Sequence, residues 1–116
     1  MRVVSGRVVL DGWQGEPGPT TVYVRLLDTS WADDSARIVD EVVLHEVRLD
    51  EIQEHAFAFF LEASKVDPRA RYEVGVLVDL DGDGVTSVGD YRNTVSYPVL
   101  TRGFPDEVEV HARRIG

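Results

Sequence analysis

Residues 72–90 read YEVGVLVDL followed by DGDGVTSVGD, a strand pattern that runs directly into an acidic loop. In the first part, apolar side chains recur at every second position, as they do along one buried face of a β-strand. These side chains are Tyr72, Val74, Val76, Val78 and Leu80. This is the strongest strand pattern in the chain, and it places residues 79–90 at the end of a strand.

The loop has the ligand spacing of an EF-hand calcium loop. Carboxylates occupy its first, third, fifth and twelfth positions, a glycine its sixth and a hydroxyl its ninth. Calcium takes six to eight oxygen ligands, and this spacing directs alternate residues toward one ion. The twelfth residue is Asp where the EF-hand usually has Glu, and in this the loop resembles that of dockerin modules. The predicted calcium ligands are Asp79, Asp81, Asp83, Val85 through its carbonyl, Ser87 through a water, and Asp90.

A simple polar turn is the alternative interpretation, because Asp-Gly pairs are common in turns. The loop, however, holds four carboxylates and no Lys or Arg. These charges would repel one another at short range without a cation. We therefore predict a metal site with calcium as its ion.

Length and composition limit the number of domains, the cysteine chemistry and the kinds of partner that this protein can have. Its 116 residues predict one domain, residues 1–116, large enough to bury a core. It contains no cysteine, which excludes disulfides, zinc–thiolate sites and thiol nucleophiles. The net charge of -9 disfavours nucleic acid and anionic membranes as partners. No apolar run has the length of a transmembrane segment.

Seven short segments show strand patterns separated by turn signals. They cover residues 4–10, 20–28, 37–49, 55–62, 72–80, 91–100 and 107–114. Residues 37–49 also fit a helical stripe, but their β-branched content and the alternation through Val39, Val43 and Val47 favour a strand. Pro98 predicts a sheet edge within the sixth strand. We predict an all-β fold, an antiparallel β-sandwich of about seven strands with the calcium loop in a strand connection.

Phe60 lies on the opposite face of its strand from Phe57, Phe59 and Leu61. We favour the interpretation that a loop covers it as a core residue. The alternative is an exposed anchor for a protein partner, which would bind the β-sandwich face near Phe60.

Four stretches resemble the YbaY and YscW family of small, pilotin-like lipoproteins. They are residues 4–8 (VSGRV), 24–30 (VRLLDTS), 66–72 (VDPRARY) and 97–103 (YPVLTRG). The resemblance implies a β-sandwich, a periplasmic or extracellular location, and a role as pilot or chaperone for outer-membrane secretin subunits. This chain differs in having no lipobox cysteine and in carrying the full acidic loop. Its first residues predict no signal peptide, which is compatible with the cytoplasm, so the sequence leaves the location open.

No pattern in the chain predicts a catalytic residue. His45, His55 and His111 are far apart in sequence, and no Gly-x-Ser-x-Gly motif occurs. The sequence favours a calcium-binding, non-catalytic binding or chaperone-like module. The alternative is a small enzyme or biosynthetic accessory protein whose calcium orders a substrate-binding loop. A third interpretation is a domain in which the ion only stabilises the fold.

Overall fold

A computed structural model describes residues 2–12, 20–30, 36–47, 56–80 and 89–115, and every regular element in these ranges is a β-strand. The strands are β1 (Arg2–Asp11), β2 (Thr20–Asp28), β3 (Arg37–Val47), β4 (Ala56–Ala63), β5 (Tyr72–Asp79), β6 (Tyr91–Asn93), β7 (Pro98–Val99) and β8 (Glu107–Arg114). The all-β prediction is therefore confirmed, with strand ends close to those predicted.

All eight strands belong to one sheet with the order β3-β2-β5-β6-β8-β1-β4, and β7 pairs with β5 beside β6. Neighbours are antiparallel except β1 and β8, which run parallel with Gly6 opposite Val108. The sixth predicted strand is divided into β6 and β7. From the end of β6 to the start of β7, two bonds from β5 take the place of strand pairing. Val76 N donates to Asn93 Oδ1 at 2.9 Å, and Val74 N donates to the Tyr97 carbonyl at 3.1 Å.

The sheet curls until its two end strands meet, so the fold is a nearly closed barrel and not the predicted two-sheet sandwich. Where β3 and β4 meet, Glu62 N donates a hydrogen bond of 2.7 Å to Asp40 Oδ2. Strand twist accumulates across a sheet and can bring its edges together. Sandwiches and barrels show the same inside–outside alternation, which is why the sequence pattern did not separate them.

The barrel interior is filled by the alternating apolar residues of the strands. Fully buried members include Val4 and Val8 of β1, Val22, Val24 and Leu26 of β2, Leu61 of β4, Val74 and Val78 of β5, and Val110 of β8. Burying one such side chain stabilises the fold by roughly 1.5–3 kcal/mol. The strand faces predicted for β1, β2, β5 and β8 are confirmed.

β3 is a strand, as predicted, and not a helix; of its alternating residues Val39, Val43 and Val47, however, only Val47 packs against the core. Val42 and Leu44 pack against the core, whereas Val39 is 38% exposed. Pairing with β2 shifts register between Leu26 and Leu27, where Val39 is skipped. A second shift precedes Val47, next to Glu46 with a φ of 55°. A bulge moves later side chains to the other face, and simple alternation does not reveal it.

Candidate functional site

The predicted calcium loop joins β5 to its antiparallel neighbour β6, as the sequence indicated. Of its six predicted ligands, Asp79 and Asp90 are described, and the other four, Asp81, Asp83, Val85 and Ser87, lie outside the described residues. Across the described ranges, no group of three or more His, Cys, Asp or Glu side chains could hold a metal. The calcium site therefore stays a prediction.

Both aspartates at the base of this loop are buried. Asp79 is 0% exposed and Asp90 is 1% exposed. Leu80 N donates to Asp90 Oδ1 at 2.9 Å, which satisfies one carboxylate oxygen and ties the loop's two ends together. Gly89 N and the Asp90 carbonyl also bond to the backbone of Ile115, each at 2.8 Å. Burying a carboxylate is costly unless it is bonded, so these contacts hold the loop base in a defined geometry.

Phe60 is exposed on the outer face of β4, with 67% of its surface open to solvent. The interpretation of a covered core residue is therefore wrong. Phe60 pairs with Ser5, and Val3 lies diagonally across from it with 42% exposure. Val39 precedes Asp40, the residue that bonds to β4 where the barrel closes. We call Val3, Val39 and Phe60 the seam patch, an apolar surface at the junction of β3, β4 and β1.

Two stretches that are distant in sequence meet at the end of the barrel where β5 begins, opposite Asp79. Thr101 Oγ1 donates to the buried carbonyl of Ala70 at 2.7 Å. Tyr72 pairs with Val99, and its hydroxyl accepts a 3.0 Å bond from Asp67 N. The segments 66–72 and 97–103, which carried the family resemblance, therefore form one structural unit.

The turn over residues 100–106 has an unusual backbone. Leu100, Arg102 and Gly103 have φ angles of 73°, 57° and 82°. Leucine and arginine rarely adopt positive φ, and such residues cost on the order of 1–3 kcal/mol each. Burial of Leu100 and the bonded Thr101 side chain hold the turn in this shape. Arg102 and Phe104 remain exposed on it.

Clefts lie on both sides of this turn. One, of about 510 Å³, lies between the turn and the end of β4 and is lined by Arg2, Ala63, Val66 and Leu100 among others. The second, of about 490 Å³, lies over the start of β5. Its lining comprises Thr29, Arg71, Tyr72, Glu73, Ser96, Pro98, Thr101, Arg102 and Phe104. We call the second the arginine cleft. The sequence did not reveal it, because its residues come from three separate segments: residue 29, residues 71–73 and residues 96–104.

The ring of His111 lies between two carboxylates on β1 and β8. Its Nδ1 lies 3.0 Å from Asp11 Oδ1, and its Nε2 lies 3.4 Å from Glu109 Oε2. The hydrogen bond to Asp11 raises the pKa of His111 above 6.5; partial desolvation opposes this effect, and the charges of Asp11 and Glu109 add to it. The partners of its ring are carboxylates and not nucleophiles, so the geometry is that of a surface charge cluster. Within the described ranges there is no helix of the length and hydrophobicity that crossing a bilayer requires.

Comparison with known proteins identifies the fold. No family model matches the chain, and no curated protein matches it. Among solved structures, the chain is similar to an alternative pilotin from the type II secretion system of Vibrio cholerae, with a TM-score of 0.77 at 19% identity. The match covers 99% of this chain and 97% of the pilotin. Over its whole length, the chain therefore shares the fold of a secretion-system pilotin.

Proposed function

We propose that this protein is a non-catalytic, pilotin-like module that binds a protein partner. The observation that carries the proposal is the fold shared with a pilotin across nearly the whole of both chains. The resemblance of residues 66–72 and 97–103 to the pilotin-like lipoproteins points in the same direction, toward a secretin subunit as the partner.

The seam patch is the surface that we assign to this partner. Phe60 is a large aromatic side chain that is 67% exposed; Val3 lies diagonally across from it on β1, and Val39 adjoins Asp40 at the seam. Aromatic residues within apolar patches are frequent anchors of protein interfaces. Burying the ring against a partner would recover roughly 1.5–3 kcal/mol.

Binding to a purified secretin subunit from the same organism tests this function. Phe60→Asp should weaken the affinity, measured by calorimetry, by about two to three orders of magnitude, because it removes an anchor and buries a charge. Val95→Asp is the matched control, since Val95 is 58% exposed on the connection between β6 and β7, away from the seam. An equal affinity of Phe60→Asp and wild type would reject the patch. The absence of any binding by the wild type would reject the secretin-pilot role.

Calcium at residues 79–90 is a second part of the proposal. It is supported by the ligand spacing and by the buried carboxylates of Asp79 and Asp90 at the loop base. One bound ion would offset two of the nine net negative charges. Since the loop connects two strands and no helix pair, the ion would stabilise a hairpin end and would not open a groove.

A further inference from the structure

We propose that the arginine cleft recognises a carboxylate of the partner's chain, through Arg71 and Arg102, next to an apolar side chain that packs on Phe104. The inference rests on the proposed function, because it defines the chemistry of a second contact with the partner. The occupant is a peptide segment in which an acidic residue adjoins an aromatic or aliphatic one.

The first argument is the unsatisfied positive charge at this end of the barrel. Nearby arginines are paired: Arg2 lies 2.6 Å from Asp106, and Arg69 lies 3.6 Å from Asp67. Arg71 and Arg102 are exposed and have no ion-pair partner in the described part of the chain. The protein carries a net charge of -9. Two unpaired guanidinium groups that line one cleft of such a protein form a local site for an anion.

The second argument is the apolar wall beside these charges. Tyr72, Pro98 and Phe104 line the same cleft, and Phe104 is 45% exposed. A free inorganic anion makes no favourable contact with these apolar side chains, whereas a peptide can pack one of its own side chains against them. The volume of about 490 Å³ is large enough for two side chains and their backbone.

The third argument is the acidic residue in the cleft. Glu73 accepts a 2.6 Å hydrogen bond from Ser96 Oγ, so its carboxylate is held in the lining of the cleft. It would repel a doubly charged ligand such as phosphate more strongly than a singly charged carboxylate, and it can accept a hydrogen bond from a peptide N–H. The cleft therefore suits a single carboxylate within a peptide.

The backbone at Arg102 fixes the base of its side chain before any ligand binds. Its φ of 57° is held by the turn, whose Thr101 is bonded to Ala70. A fixed position lowers the ordering cost on binding. It also permits a useful variant, because asparagine adopts positive φ more readily than arginine. Arg102→Asn removes the charge without adding backbone strain.

The first experiment uses NMR with a defined probe that carries one carboxylate, the peptide acetyl-GFDLQG-amide, and its uncharged counterpart acetyl-GFNLQG-amide. The acidic peptide should shift the Arg71 and Arg102 Nε–H resonances and bind about tenfold more tightly than its counterpart. Arg71→Gln and Arg102→Asn should each remove this preference. Arg92→Gln makes the same charge change on β6, opposite Leu77 and outside the cleft, and should keep it. Equal affinity for the two peptides, or shifts of the same size with inorganic phosphate, would overturn the proposal.

The second experiment separates this inference from the proposed function. The double variant Arg71→Gln/Arg102→Asn should bind the secretin subunit about tenfold or more weakly than Arg92→Gln does, with an unchanged melting temperature. If the double variant binds like wild type while Phe60→Asp does not, the arginine cleft is wrong and the proposed function stands. If wild type binds no secretin subunit but still prefers the acidic peptide, the cleft stands and the secretin role fails.

Discussion

Gly6 shows how closely two parallel strands approach in this barrel. A Cβ atom built on it would lie 1.8 Å from the carbonyl oxygen of Val108 and 3.1 Å from the Phe59 ring. The first distance is far shorter than any van der Waals contact, and a backbone atom cannot move away as a side chain can. Gly75 on β5 has a more tolerant environment, because its nearest neighbour is the flexible Leu27 side chain at 3.1 Å.

Gly6→Ala should therefore destabilise the protein by about 3 kcal/mol or more, since β1 and β8 must separate to accept the methyl group. Gly75→Ala should cost less than about 1 kcal/mol, because Leu27 can change rotamer. Urea denaturation of both variants measures the difference. Similar urea midpoints for the two variants would show that β1 and β8 approach each other less closely than in the structure.

His111 gives the molecule a modest dependence on pH. Its folded-state pKa is raised above 6.5 by Asp11, with a contribution from Glu109. Arg113, 3.7 Å from Asp11 Oδ2, is the cation in the same cluster. A raised folded pKa means that the stabilisation is fully present below the unfolded pKa, and that it is lost as the pH rises through the folded pKa.

His111→Gln should accordingly lower the free energy of unfolding at acidic pH and have little effect at alkaline pH. The side chain is 41% exposed, so solvent screening should keep the difference below about 1 kcal/mol. Denaturation curves on both sides of pH 6.5 check this, with the exposed His45→Gln as control. If the loss of unfolding free energy in His111→Gln grew with rising pH, the raised folded-state pKa of His111 would be wrong.

At the scale of elements, the barrel is completed by side chains where strand pairing stops. Asp40 bonds to Glu62 N at the β3–β4 seam, and Asn93 bonds to Val76 N where β6 ends. Such single bonds replace a continuous ladder. The seam is thus the weakest junction of the barrel, and the apolar seam patch flanks it.

Asp40→Ala should loosen the seam, because Glu62 N–H loses its acceptor. We expect a loss of about 0.5–1.5 kcal/mol in unfolding free energy, and faster hydrogen exchange at Glu62 than at paired β4 amides. Asp40→Asn keeps an acceptor oxygen, so the Glu62 amide in this variant should exchange nearly as slowly as in the wild type. Exchange at Glu62 that is unchanged in Asp40→Ala would mean that the seam does not depend on this bond.

For the whole molecule, the two ends of the acidic loop, Asp79 and Asp90, and the arginine cleft lie at opposite ends of the barrel. β5 connects them, since it begins at Tyr72 beside the cleft and ends at the buried Asp79. The seam patch lies on the wall, at the β3–β4 junction. This arrangement leaves the proposed partner surfaces separate from the proposed ion, which would act on stability.

Calcium should therefore raise the melting temperature without changing which partner binds. If the ion binds only the folded state, a hundredfold excess over Kd stabilises by roughly 2.7 kcal/mol. A chelator should remove this increment, and Asp81→Ala should abolish the difference. Glu107→Gln removes one negative charge from an exposed position on β8, and this variant should retain the stabilisation by calcium. Identical melting curves with calcium and with chelator would reject the site.

The sequence by itself determined the strands, because alternation along residues such as Val22, Val24 and Leu26 reflects a burial that any sheet imposes. It also determined that the acidic loop connects two strands. Only the tertiary structure decided that the sheet closes on itself, that bulges turn Val39 outward, and that Phe60 is exposed. It alone brought Arg71 and Arg102 to one cleft. The physical reason is that alternation is a local property of one strand, whereas closure and cleft formation depend on contacts between residues far apart in the chain.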